Sequence, residues 1–143
     1  MSAQHYEIVI IGAGLSGIGT ACHIARQFPN KSMAIIERRE KVGGTWDLFR
    51  YPGIRSDSDM YTFGYAFRPW TGGKAFADGP SIRQYVRDTA SENGIDQHIH
   101  FGHRVVAVDW QSASARWQVT AVDGAGKEQV FRARFVFLCS GYY

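Results

Sequence analysis

Ile8-Val9-Ile10-Ile11-Gly12-Ala13-Gly14-Leu15-Ser16-Gly17 is the stretch that decides the fold. A short apolar run opens directly into Gly-x-Gly-x-x-Gly. The run Tyr6–Ile11 reads as a central parallel strand, where both faces are covered. Behind it Leu15, Ile18, Cys22 and Ala25 recur at helical spacing, and Pro29-Asn30 ends a helix over Leu15–Phe28. Ser32–Ile36 reads as a second strand, and Glu37 stands at its end, 20 residues after Gly17. Strand, glycine turn, helix, strand and acid in this register are the fingerprint of a dinucleotide-binding βαβ unit. Gly12 allows the tight turn, Gly14 lets backbone amides approach a pyrophosphate, and Gly17 lets the helix pack on the strand. The free amides and dipole of the helix start stabilise phosphate charge. Ser16 adds a hydroxyl donor.

Glu37 can accept two hydrogen bonds from a ribose diol and repels a 2′-phosphate. Arg38 and Arg39 complicate that argument. They either accommodate such a phosphate or are solvated loop residues, and Arg38 can also stack on an adenine face. A second glycine motif, Gly43-Gly44-Thr45-Trp46, narrows the dinucleotide to FAD. It fits a loop closing over the diphosphate and ribityl chain; the plainer alternative is a glycine turn with a core Trp. Arg50-Tyr51-Pro52-Gly53-Ile54-Arg55-Ser56-Asp57 puts two arginines and an acid beside a rigid turn. A carboxylate at Asp57 can orient a donor near an isoalloxazine ring.

The 143 residues predict one domain spanning 1–143. Hydrophobic residues make up 45% and charged residues 20%, ordinary for a globular chain. A net charge of +3, with acids interspersed among the bases, gives no case for nucleic acid. Cys22 and Cys139 read as small buried hydrophobes, not a disulfide framework. No apolar stretch reaches membrane-spanning length and no leader pattern is present, so the expected location is a reducing cytoplasm. His5, His23, His98, His100 and His103 are scattered and expected at the surface. No metal-ligand spacing is present.

Residues 39–79 read as irregular and rich in aromatics, with a short helix starting near Asp57. A helix is expected from Pro80 to about Asn93, with Gly94 as its cap. Val105–Trp110, Arg116–Val122 and Gln129–Ala133 alternate as an antiparallel meander. Phe135–Cys139 reads as a return to the buried parallel sheet. The predicted class is α/β: a Rossmann-like parallel sheet with helices plus a small meander.

On GGTW, RYPG and the Arg-x-Asp triplet, the chain resembles the class B flavoprotein monooxygenases. Within them it is most similar to the ethionamide-activating branch of the Baeyer–Villiger monooxygenases. The resemblance covers essentially all 143 residues. It implies FAD held by Gly12, Gly14, Ser16 and Gly17 at the pyrophosphate and by Glu37 at the ribose. It also implies Thr45, Trp46, Asp47 and Leu48 along the flavin, and a Val105 backbone contact to adenine. Arg55, Ser56 and Asp57 match a segment touching NADPH; many relatives carry Cys where this chain has Ser56.

The implied activity is NADPH-dependent oxygenation of ketones or sulfides through a flavin C4a-peroxide. The alternatives are a flavin- or nucleotide-binding module without turnover, and a different two-dinucleotide oxidoreductase; the lack of a CxxxxC pair argues against a disulfide reductase. A second GxGxxG, an FxGxxxHxxxW/F-P signature and an active-site Arg are implied beyond Tyr143. The chain is therefore expected to be an N-terminal FAD-binding segment, incomplete relative to the family. It should lack catalytic residues of its own, be inactive alone, and tend to self-associate through an exposed sheet edge.

Overall fold

The computed structural model describes residues 2–143. Strand β1 (Gln4–Ile11) leads into helix α1 (Leu15–Gln27) and strand β2 (Met33–Ile36). Two single-turn helices follow, α2 (Thr45–Leu48) and α3 (Met60–Phe63), then the longer α4 (Gly79–Glu92). A 3-10 turn (Asp96–His98) precedes β3 (Ile99–His100), β4 (Arg104–Gln111), β5 (Arg116–Val122) and β6 (Glu128–Leu138). All six strands form one sheet in the order β3-β2-β1-β6-β5-β4.

The βαβ unit is as the sequence predicts. β1 pairs parallel with β2, Ile8 opposite Met33 through Ile11 opposite Ile36. Ile8, Ile10, Met33 and Ile35 bury one sheet face under Ile18, Cys22 and Ile24 of α1 and Tyr85 and Val86 of α4. The opposite face buries Val9, Ala34 and Ile36 with Val119, Ala121, Phe131 and Ala133. Asp78 caps α4 by accepting from the Ser81 amide, Pro80 sits in its first turn, and Gly94 follows its end at φ +66.

The meander is present, but its last strand differs from expectation. Gln129–Ala133 and Phe135–Cys139 are one strand, β6. It pairs antiparallel with β5 from Glu128 to Ala133 and parallel with β1 from Phe131 to Leu138. Meander and parallel sheet are thus continuous. Arg134, between the two expected strands, lies 3.6 Å from Glu7 of β1. The distal half of β6 is also less buried than its apolar run implies. Phe135 is 57% exposed and Leu138 73%. The cause is that β5 begins at Arg116 and its pairing ends at Ala133, leaving residues 134–138 without a strand on that side.

β3 is a strand too short to give a periodic signal, yet it extends the parallel sheet through Ile35 opposite Ile99. The short helix expected near Asp57 starts at Met60, capped by Asp59, which accepts from the Thr62 amide. His98, His100 and His103 are half-buried, not surface residues. His100 lies edge-on to Phe131 at 5.2 Å, and burial, aided by the nearby His103, pushes its pKa down. Cys22 is buried, which raises its thiol to about 11, whereas Cys139 is only half-buried.

The aromatic loop expected to be functional is ordered by packing on the helices. Tyr65 donates to the Leu15 carbonyl of α1, and Tyr85 donates to the Arg68 carbonyl. Tyr65 and Tyr85 stack at 5.7 Å. Because Phe131 is fully buried where both sheet halves share β6, Phe131→Ala should cost about 3–5 kcal/mol. Urea unfolding followed by circular dichroism checks this; a loss below about 1 kcal/mol would contradict the shared-strand core.

Candidate functional site: a cavity over the first glycine loop

The loop between β1 and α1 is shaped by contacts that tolerate no side chain. Gly12 has φ +108, and a Cβ on Gly17 would lie 1.8 Å from the Gly12 carbonyl oxygen. α1 starts at Gly14 with no side-chain cap and no acid in its first turn. Its first amides therefore face the cavity without a competing carboxylate. The second glycine motif meets the first, backbone to backbone. The Gly43 amide donates to the Ala13 carbonyl at 3.0 Å, and a Cβ on Gly44 would sit 2.8 Å from Gly14 Cα.

A cavity of about 790 Å³ runs along this seam. That falls within the usual range for small-molecule sites. Its walls are formed by Gly12, Gly14 and Ser16 of the first loop, by Glu37, Arg38 and Arg39 after β2, and by Gly44, Thr45, Trp46 and Leu48. Val105, on β4 beside a bulge, also lines it. Glu37 is 6% exposed and held on both oxygens. Oε2 accepts from the Ala13 amide and Oε1 from the Arg39 amide, each at 2.8 Å. Its main chain is held by β3 and the following turn: Glu37 N–H donates to the His100 carbonyl and His103 N–H to the Glu37 carbonyl, both at 3.0 Å. The carboxylate is fixed in place while keeping lone pairs for further donors.

The structure brings together most of the residues singled out from the sequence; Gly17, Asp47, Arg55, Ser56 and Asp57 do not line this cavity. Asp47 does not line the cavity; its carboxylate is taken by arginines. Ser56 is buried, and its hydroxyl accepts from the Ala77 amide at 3.2 Å, so its side chain serves the loop. Arg55 lines a second cavity, about 840 Å³, which shares Trp46 with the first and also contains Arg50, Phe76 and Arg83. Asp57 is exposed and lines neither cavity. It lies near Tyr143, whose pKa is raised by a hydrogen bond and charge from Tyr142 and, further down, by the Asp57 charge.

Sequence reasoning missed His103, Arg104, Cys139 and the segment Ser140–Tyr143, all of which line the first cavity. The expected role of Val105 was the one available signal for its neighbours. Cys139 was dismissed as a buried hydrophobe, but its position just after β6 follows from the parallel register: the Cys139 amide donates to the Ile11 carbonyl at 2.8 Å. Two buried nitrogens of cavity-lining residues, Arg39 Nε and His103 Nε2, have no partner among the described residues. Among those residues no group of three or more metal-ligating side chains occurs, and no helix is long and apolar enough to cross a membrane.

Burial alone would raise the Asp47 carboxyl, but hydrogen bonds and charge from Arg39 and Arg50 outweigh it and hold the pKa below the usual value. A carboxyl lowered in the folded state contributes stability that is fully present above the unfolded pKa of about 4. That contribution is lost as pH falls through the lowered value. The urea midpoint should therefore drop on acidification below about pH 4, and Asp47→Asn should flatten that part of the curve. An unchanged acid limb in the variant would place the pH sensitivity elsewhere.

The sequence profile of the NAD(P)-binding Rossmann-like domain family matches residues 10–89, more than half of the chain. The FAD-containing monooxygenase EthA of Mycobacterium tuberculosis is 55% identical over 140 residues, covering 98% of this chain and 28% of that protein. EthA of Mycolicibacterium smegmatis is 54% identical over the same length, with the same coverage. The chain thus spans about 28% of the length of these curated relatives. Among solved structures, OTEMO in complex with FAD and NADP superposes with a TM-score of 0.85 at 32% identity, over 98% of this chain and 26% of that one. With the βαβ unit, the glycine seam and the profile match in agreement, this chain belongs to the NAD(P)-binding Rossmann-like domain family and is similar over nearly its whole length to part of the FAD-containing monooxygenases.

Proposed function

We propose that the cavity over Gly12–Gly17 holds FAD and that the chain is the FAD-binding segment of an NADPH-dependent monooxygenase acting on ketones or sulfides. The observation that carries this reading is the seam between the two glycine motifs, with the fixed Glu37 carboxylate and Trp46 both lining the cavity along it. An uncapped helix start with no acid in its first turn suits a pyrophosphate. The unpartnered Arg39 and His103 nitrogens beside the cavity are compatible with a ligand rich in acceptors. The relatives named above support FAD over a nicotinamide nucleotide at this first site.

Each residue has a distinct task in this reading. The amides at the start of α1 and the Ser16 hydroxyl bind the pyrophosphate. Glu37 accepts from the adenosine ribose, Arg38 covers the adenine, and the Val105 main chain meets its edge. Gly44 lets the wall close on Gly14, while Thr45, Trp46 and Leu48 exclude water along the flavin side. Arg39 is committed to Asp47, which leaves Arg38 as the freer of the two arginines. The second cavity, lined by both Arg55 and Arg83, is the place this reading gives to the phosphates of NADPH. Bound FAD supplies the redox and dioxygen chemistry; the protein supplies binding and orientation.

The purified chain should bind FAD with a change in its visible absorbance. Glu37→Ala should lose at least one hydrogen bond to a charged acceptor, about 1.5–3 kcal/mol, or roughly ten- to hundredfold in affinity. An unchanged dissociation constant would remove Glu37 from the site. The chain carries one glycine fingerprint, and the reaction needs two dinucleotides in register. Adding FAD, NADPH and a simple ketone should therefore give no ester at enzymatic rates. Turnover would overturn this division of labour, and flavin binding without turnover under any added partner would favour a plain binding module.

A further inference from the structure

Asp47 follows Trp46 in the cavity wall, yet its carboxylate is turned away and is only 2% exposed. Three guanidiniums converge on it: Arg39 at 2.8 Å, Arg50 at 2.7 Å and Arg87 at 3.5 Å. Its main-chain carbonyl accepts two more bonds, from Arg39 at 3.2 Å and from Arg50 Nε at 3.0 Å. The arginines come from three places: the turn after β2, the turn after α2, and the body of α4. One turn of helix does not hold itself in water, so α2 depends on such anchors. Arg39 is the joint. Its backbone amide fixes Glu37 Oε1, and its side chain grips Asp47. The Glu37 carboxylate and the Thr45–Trp46 wall are thereby linked, and Arg87 ties both to α4.

We propose that Asp47 is a positioning residue, one that sets the spacing between Glu37 and the Thr45–Trp46 wall of the dinucleotide cavity without touching the cofactor. The proposal rests on the FAD reading above. It differs in sign from a simple charge effect. Three cations against one carboxylate leave a net positive cluster, and neutralising Asp47 raises that charge. By Coulomb's law alone, this would tighten a ligand carrying a pyrophosphate. Loss of positioning does the opposite, because the amides and Glu37 no longer meet the ligand together.

The test uses the 143-residue chain with Asp47→Asn, Arg87→Gln and the pair. FAD affinity is read by quenching of flavin fluorescence, and amide hydrogen exchange is read without ligand. Asp47→Asn should weaken FAD by about tenfold or more, which corresponds to roughly 1.4 kcal/mol. Arg87→Gln, on a residue that does not line the FAD cavity, should weaken it by less. The pair should be no weaker than Asp47→Asn alone, since both act through one carboxylate. Exchange should quicken over Arg39 and Gly43–Leu48 while β1 and α1 keep their protection. Equal or tighter FAD binding by a folded Asp47→Asn overturns the proposal. So does exchange that rises evenly along the chain, the mark of a merely structural loss. If Asp47→Asn does not fold, Arg87→Gln decides by the same two readouts. If the unaltered chain takes up no FAD, the FAD reading fails on its own, and the exchange pattern still decides whether Asp47 holds the wall.

Discussion

Three close backbone approaches constrain this structure more than any side chain does. α1 can leave β1 at its observed angle because Gly17 packs against the Gly12 carbonyl. β6 can end beside β1 because Gly12 has no side chain to strike the Cys139 carbonyl, 2.4 Å from where a Cβ would be. The Thr45–Leu48 turn can reach the first loop because Gly44 meets Gly14. Sterics here act as exclusion: no bond energy is large, but an added methyl at these points has nowhere to go. The cavity is what remains when three segments are drawn together at points that exclude side chains and are held apart elsewhere by Leu15, Ile36 and Trp46.

Around that seam the polar groups are arranged in series. Ala13 holds Glu37, Glu37 holds the Arg39 amide, and Arg39 holds Asp47. Buried charge is costly unless fully partnered. Glu37 and Asp47, both almost wholly buried, have partners on each oxygen. The aromatic loop is fastened differently, by tyrosine hydroxyls donating to main-chain carbonyls and by ring stacking. Its long irregular course is thus compatible with order, because backbone groups outside regular structure find side-chain partners.

Much of this was legible in the sequence, for reasons that differ by element. The βαβ unit was, because period, turn residues and the acid agree over residues 6–37. The first-loop wall of the cavity and Glu37 follow from the same stretch. β6 was misread as two strands because local alternation cannot show that Ala133 pairs with Tyr6 and Trp117 at once. The exposure of Phe135 was hidden for the same reason: burial of a strand depends on where its neighbour stops. Asp47 was placed along the flavin only by the family resemblance. Its real partners include Arg87, 40 positions on in sequence, and no local pattern reports that. His103 and Arg104 reach the cavity through a two-residue strand, below the length at which periodicity carries information.

The shared strand has a consequence for how the molecule is made. β1 leaves the ribosome well before β6. The distance between them in the chain is set by pairs such as Gln4 and Gln129, 125 positions apart. The centre of the sheet is therefore its least local part. Until β6 has been made, β1 can pair only with β2 among these neighbours, and its other edge stands open. Long-range pairings of this kind form slowly and leave unpaired edges exposed meanwhile. Until then the dinucleotide loop lacks the lining that Cys139–Tyr143 supply just after β6.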